Sequence, residues 1–399
     1  MRICFLCNEY PPGPHGGIGT MTQLLGRALV RSGHAVRVVG AYPAGFPNRP
    51  GEIDEGVRVW RSGEGTSRPG KARSRWRLFR AVARWSRDGE IDVVEVPDWE
   101  GWAAGWPRLP VPVVARLNGT TRYFAAEMGE RAPRLTSALE RASLSRADAW
   151  CAASRYVAER TGSLFGLPLA GVAILHNAVE LRPPPPEAGR LAGRVVFTGR
   201  LTAKKGVEPL VRAWPLVLAR VPDAELHLFG RDAPSGRNGS MRAFLESIVA
   251  DRPDPRVVFH GHVDRDAIAT ALEGASVAVF PSFAEAFAFA PMEAMAAGCP
   301  TISSRRGSGP ELVVDGRDGL LVDPAEPRQI ADAIVRLLAD GGLRRRLGMA
   351  GRRRIEESFS LPGLVRGSEA FYRDAIERFR GPGASAGDGG RSRTEGGSG

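Results

Sequence analysis

Two carboxylates stand eight positions apart in Glu285-Ala-Phe-Ala-Phe-Ala-Pro-Met-Glu293, behind the apolar run at 276–280 and the break Pro281-Ser282. Eight positions is a little over two helical turns, so carboxylates on one helix would share roughly one face. The continuation Met292-Glu-Ala-Met-Ala-Ala297 is rich in helix formers, and Gly298-Cys-Pro300 ends it. A strand, a polar turn and a small-residue helix in succession are how open α/β sheets form ligand crevices at their strand ends. By residue type alone the pair suits acid/base work. The plainer alternative is two solvated carboxylates flanking an Ala-rich core helix.

A second group is cationic: Gly199-Arg200-Leu-Thr-Ala-Lys204-Lys205-Gly206, between a strand ending at Thr198 and a helix. Arg binds phosphate bidentately, Lys adds a point charge and a helix start adds partial positive charge, so the segment reads as a diphosphate cradle. A third group is the loop Asn8-Glu-Tyr-Pro-Pro-Gly-Pro-His-Gly-Gly-Ile-Gly19 before a helical pattern at 21–31. Its glycines allow backbone N–H groups to approach a phosphate or sugar. A dinucleotide fold is disfavoured, because Thr22 occupies the third glycine position and the second strand ends Val39-Gly40 without an acid.

No metal set is expected. Asp264-Arg-Asp266 precedes a helical run, so Asp264 is better explained as a helix cap, and His260 and His262 lack a further ligand at suitable spacing. Cys4 and Cys7 fall in a predicted strand on opposite faces and read as small buried hydrophobes.

The elements that must position these groups alternate. Strands are expected at 2–7, 35–39, 57–60, 91–96, 111–117, 149–153 and 172–175, then at 194–198, 225–229, 257–260, 276–280 and 301–303, with helical patterns between them. This predicts an α/β chain of two doubly wound, Rossmann-like domains. The first spans 1–180 and the second 194–360, with a Pro-rich linker at 181–193. The Gly/Ser/Arg tail at 381–399 is expected to be disordered.

The chain has 399 residues and a formal charge of +11, with 43% hydrophobic and 25% charged residues, which suits a soluble two-domain protein. The opening run is too short for a signal peptide and no stretch is long enough to span a bilayer, so a cytoplasmic location is expected. Arg73, Arg77, Arg80, Arg84 and Arg87 form one helical stripe, with Leu78, Phe79, Val82 and Trp85 opposite. The stripe is either a solvated surface face or a contact for anionic lipid headgroups. No nucleic-acid-binding motif accompanies it.

Together these residues carry a resemblance. The chain resembles retaining glycosyltransferases of family 4, of the GT-B fold, over almost its whole length before the tail. The matching points are Gly16-Gly-Ile-Gly19, Ser154-Arg-Tyr-Val157, Leu175-His-Asn-Ala178, Gly199-Arg-Leu with Lys205-Gly206, Phe229-Gly230, Phe259-His-Gly261, the E-x7-E pair Glu285 and Glu293, Gly309-Pro-Glu311 and Gly319-Leu-Leu-Val322. Each is weak alone, while their order is specific.

The resemblance implies metal-independent sugar transfer, with retention, from a nucleoside-diphosphate donor to a glycan, lipid-linked or small-molecule acceptor. It implies that Arg200 and Lys205 hold the diphosphate, that Glu293 binds the ribose and that Glu285 lies beside the sugar. Backbone groups of Ala286, Phe287, Ala288 and Phe289 would help, with Gly230 and Val263 also on the donor side. Gly16 and Gly17 would close on the diphosphate from the first domain, and a last helix at 361–380 would cross back to that domain. Two departures stand out. Asn118 occupies a position where relatives carry a His, and Ala288 stands where a Gly is common. Asp98, at a strand end, is a candidate acceptor contact or a structural turn carboxylate. The alternatives are a GT-B sugar-nucleotide epimerase and a non-catalytic nucleotide-sugar-binding homologue.

Overall fold

The computed structural model describes residues 1–13, 15–43, 45–46, 51–168, 172–183, 190–235, 239–250 and 256–381. Residues 184–189 of the expected linker and 382–399 of the expected tail therefore lie outside the described residues.

The first sheet contains β1 (Arg2–Leu6), β2 (Ala35–Tyr42), β3 (Glu52–Asp54), β4 (Val57–Gly63), β5 (Val93–Pro97), β6 (Val113–Leu117), β7 (Ala149–Ala152) and β8 (Ala173–Ile174), in the order β3-β4-β2-β1-β5-β6-β7-β8. All neighbours are parallel except β3 and β4. The strand order reverses at β1, which pairs with both β2 and β5, so a crevice opens there beyond the strand ends. The helix Gly17–Arg31 starts at that edge.

The second domain holds β9 (Arg194–Thr198), β10 (Glu225–Phe229), a small hairpin of β11 (Pro234–Ser235) and β12 (Gly239–Ser240), then β13 (Val257–Gly261), β14 (Val277–Phe280), β15 (Thr301–Ser304) and β16 (Leu320–Val322). Its main sheet runs β13-β10-β9-β14-β15-β16 and is parallel throughout. Its reversal lies at β9, between β10 and β14.

β5 and β6 are buried at every position, as parallel strands covered by helices must be. Buried among them are two opposite charges that pair with each other. Arg116 donates from Nε and Nη2 to Glu95 at 2.8 and 3.0 Å. Tyr372 Oη–H, on the helix Leu361–Arg380, donates to the same carboxylate at 2.7 Å. That helix packs against Gly17–Arg31, and its Glu369 meets His34 at 2.9 Å, so the helix is fastened to the first domain.

Four strands were not legible. β3 is a short polar edge strand, held because Asp54 accepts from Tyr10, Gln23 and Arg27. The β11–β12 hairpin and β16 are too short to carry a periodicity. On the helix Arg68–Arg87 the five stripe arginines are exposed, Leu78, Phe79 and Val82 are buried, and Trp85 is partly buried. Cys4 and Cys7 are both buried, in different core clusters, and burial pushes each thiol up to about 12.

Candidate active site

The loops that follow β9 and β14 flank the reversal of the second sheet, and they are bound to each other. Lys204 O accepts from Phe283 N at 2.7 Å. Gly206 has φ 67°, and a Cβ there would lie 1.7 Å from Pro281 O, so only glycine allows this close approach. The Lys205 ammonium consequently pairs with the Glu285 carboxylate, which also accepts from Ser282 Oγ at 3.0 Å. Arg200 is exposed and has no ion-pair partner among the described residues. Lys204 turns toward the first domain, with its ammonium 4.1 Å from the centre of the Phe124 ring, and burial lowers its pKa.

Glu285 and Glu293 do not share a helix. The helix is Phe289–Ala296, so Glu293 is on it and Glu285 lies in the loop before it. The reason is visible in the carbonyls. A helix reaching Glu285 would direct the carbonyls of residues 285–287 to N–H groups four positions on, yet Pro291 has no N–H. All three carbonyls bond to the first domain instead: Glu285 O to Tyr123 Oη–H at 2.9 Å, Ala286 O to Ser154 Oγ–H at 2.7 Å, and Phe287 O to Asn177 Nδ2–H at 2.8 Å.

Burial pushes the Glu293 carboxyl above its ordinary range, against the pull of Arg265 and Arg182. Arg265 also reaches across the domains to Thr20 Oγ1 at 3.2 Å. Phe287 is buried against His176 and Phe359, while Phe289 faces Gly17, where a Cβ would lie 3.7 Å from its ring. Ala288 has an ordinary φ of −78°, so its methyl group costs the backbone nothing. Gly230 meets a protein neighbour, since a Cβ there would lie 1.9 Å from Gly199 O. Val263 packs on the core that includes Phe229 and Phe280. Asp264 caps the following helix through Ala267 N at 2.8 Å.

The glycine loop brings a residue that its sequence spacing did not disclose. Glu9 accepts from Gly16 N at 3.1 Å and from Gly19 N at 2.7 Å, occupying part of the helix start with a protein carboxylate. The N–H of Gly16 is therefore already engaged. On the acceptor side, Asp98 is fully buried and accepts from Gly119 N at 2.9 Å, so it holds the Asn118-Gly119 turn and offers no surface to an acceptor. Burial raises its pKa to about 7, against the opposing backbone hydrogen bonds. Asn118 Nδ2 is buried without a partner among the described residues. A cavity of about 570 Å³ lies beside the Glu285 backbone, lined from both domains by Glu127, Tyr156, Arg160, Phe283, Arg306 and Gly307 among others.

A cationic loop, a carboxylate at a strand end and a desolvated acid on the following helix thus converge between two Rossmann-like sheets. The family described as Glycosyltransferase Family 4 matches residues 15–182, and that described as Glycosyl transferases group 1 matches residues 192–340. The chain belongs to glycosyltransferase family 4. It is 31% identical over 285 residues to the GDP-mannose-dependent alpha-(1-6)-phosphatidylinositol monomannoside mannosyltransferase of Mycolicibacterium smegmatis, covering 66% of this chain and 72% of that one. It is 26% identical over 414 residues to a glycogen synthase of Mycobacterium tuberculosis, covering 96% and 97%. Among solved structures it superposes on the sucrose-phosphate synthase of Thermosynechococcus elongatus with a TM-score of 0.78 and 25% identity, covering 93% and 98%. This family 4 protein is a glycosyltransferase of the GT-B fold. Among its described residues, no helix is long and apolar enough to cross a membrane.

Proposed function

We propose that this glycosyltransferase moves a sugar, with retention of anomeric configuration, from a nucleoside-diphosphate donor to a hydroxyl of a glycan, lipid-linked or small-molecule acceptor, in the assembly of cell-surface polysaccharide or glycolipid. The observation that carries the reading is the junction of the β9 and β14 loops. There, Arg200, which has no ion-pair partner among the described residues, shares the β9 loop with Lys205, and Lys205 pairs with Glu285 on the loop that leads into the helix Phe289–Ala296. Arg200, Lys205 and that helix start supply positive charge to the diphosphate, the role a divalent ion would otherwise fill, so the reaction is proposed to need no metal. Glu293, desolvated on the helix, accepts hydrogen bonds from the ribose. Glu285 positions the sugar once the donor phosphate draws Lys205 away.

In this scheme the bond from the anomeric carbon to the diphosphate oxygen breaks as the acceptor oxygen attacks from the same face. The acceptor proton passes to the departing phosphate oxygen, so no catalytic histidine is required and Asn118 is compatible with turnover. A donor of this class is supported by the Mycolicibacterium relative, whose name specifies GDP-mannose. The exposed arginine stripe of Arg68–Arg87, flanked by Trp76 at 53% exposure, is proposed to rest on an anionic membrane surface.

The test is a thermal-shift screen with uridine, guanosine and adenosine diphosphate sugars, followed by product analysis of the donor that binds. Stabilisation by one nucleotide sugar and an α-linked product from an α-linked donor are expected. Inversion of configuration, or activity that is lost with a chelator and restored by a divalent ion, would refute the corresponding part of the scheme.

A further inference from the structure

We propose that Tyr123, Ser154 and Asn177 are positioning residues for the transferred sugar, acting from the opposite domain through the backbone of residues 285–288. A trans peptide is planar, and its C=O and N–H point in opposite directions. Among the described residues, the only cis peptide bond is Pro11-Pro12, so the three peptides from Glu285 to Ala288 are trans. Each has its carbonyl fixed: Glu285 O by Tyr123 at 2.9 Å, Ala286 O by Ser154 at 2.7 Å and Phe287 O by Asn177 at 2.8 Å. The N–H groups of Ala286, Phe287 and Ala288 are thereby aimed away from those three side chains. None of the three has an acceptor among the described residues, nor has that of Phe289, the first residue of the helix. A strap with every carbonyl satisfied and every amide free is a row of donors for the sugar hydroxyls and adjoining phosphate oxygens.

The clasp is braced from both sides. Ser154 Oγ accepts from Val157 N at 3.1 Å, which leaves its one proton for Ala286 O. Glu311, from the second domain, accepts from Arg155 N and Tyr156 N, both at 2.8 Å, and meets His176 Nε2 at 3.2 Å. Although burial raises the Glu311 pKa, His176 and those two N–H groups bring it below the ordinary value. Upstream, Phe283 N is tied to Lys204 O, so the strap is also anchored to the cationic loop. A side chain of one domain therefore sets the amide geometry with which the other domain meets its donor.

The inference rests on the nucleotide-sugar reading for its ligand, but the clasp can be tested without one. In ligand-free protein, Ser154→Ala should move the carbonyl carbon resonance of Ala286 upfield, and Tyr123→Phe should do the same for Glu285. Unmoved resonances would overturn the clasp whatever the donor is. With UDP-glucose or GDP-mannose, whichever the wild type turns over, both variants should lose kcat by about 10- to 100-fold, the scale of a misplaced reactant. Ser154→Ala also removes the cap of Val157 N and should lower the melting temperature by a few degrees. Affinities for UDP or GDP should stay near wild type in both variants, and Ser154→Thr should recover most of the kcat. Unchanged kcat in Ser154→Ala, or joint loss of nucleotide affinity and turnover that Ser154→Thr does not repair, would overturn the positioning role. A wild type that turns over no nucleotide sugar would instead count against the proposed function, leaving the resonance test to decide the clasp.

Discussion

Replacing Arg200 by Ala separates catalysis from stability, because the two have different structural bases here. The guanidinium is exposed and has no ion-pair partner among the described residues, so its loss should change unfolding free energy by no more than about 0.5 kcal/mol. In the proposed complex it faces the diphosphate, which gains charge as the sugar departs. One additional unit of charge about 4 Å away interacts by about 4 kcal/mol at an effective dielectric of about 20. Water left in a partly open site halves that figure to about 2 kcal/mol. At 1.36 kcal/mol per decade, kcat should fall by about 30- to 1000-fold. Arg200→Lys keeps the charge but loses bidentate contact, and should fall between wild type and Arg200→Ala. The assay is continuous detection of released nucleoside diphosphate under saturating donor, alongside thermal melting. A kcat within about threefold of wild type, in a variant with an unchanged melting temperature, would refute the diphosphate assignment.

Other consequences follow from buried groups and from the surface. Tyr372→Phe removes a 2.7 Å hydrogen bond to the buried Glu95 carboxylate and should cost about 1.5–3 kcal/mol in urea unfolding; no measurable change would contradict that contact. Asp98 should make stability depend on pH in an identifiable direction. Its folded pKa is raised to about 7 from 3.8, so between these values the folded state binds more protons than the unfolded state, and stability falls as pH rises. Asp98→Asn should flatten that slope between pH 4 and 7 in urea midpoints, and parallel curves for the two proteins would exclude Asp98 as its source. Replacing the five stripe arginines with Gln should abolish sedimentation with phosphatidylglycerol vesicles while sparing turnover of a water-soluble acceptor. Equal sedimentation of variant and wild type would assign the stripe to a solvated surface.

Much of the architecture was legible because parallel strands buried on both faces leave a strong local mark. The runs at 93–97 and 113–117 are apolar apart from Glu95 and Arg116, and those two charges proved to be partners. The strands escaping notice were short or polar, and exist through pairing with a neighbour. The candidate donor residues were legible as motifs, whereas Glu9, Arg265 and Tyr123 were not. Glu9 lies seven and ten positions from the N–H groups it accepts from, outside any local capping pattern, and Tyr123 meets its partner 162 positions away. The exposed arginine face followed from helical spacing, since the buried positions opposite it set the rotation of that helix.

The amino-acid sequence by itself determined the two sheets, the cation-bearing loop at 199–206 and the spacing of Glu285 from Glu293, because these depend on contiguous patterns and local backbone chemistry. Only the tertiary structure decided what that spacing means. The two carboxylates lie on a loop and on a helix, because Tyr123, Ser154 and Asn177 claim the carbonyls that a longer helix would have used. It likewise decided that Asp98 is a buried support for a turn and that Glu9 caps the glycine loop. Those assignments depend on which groups meet in space, at separations from 7 to 162 positions, and such hydrogen bonds leave no periodicity to read.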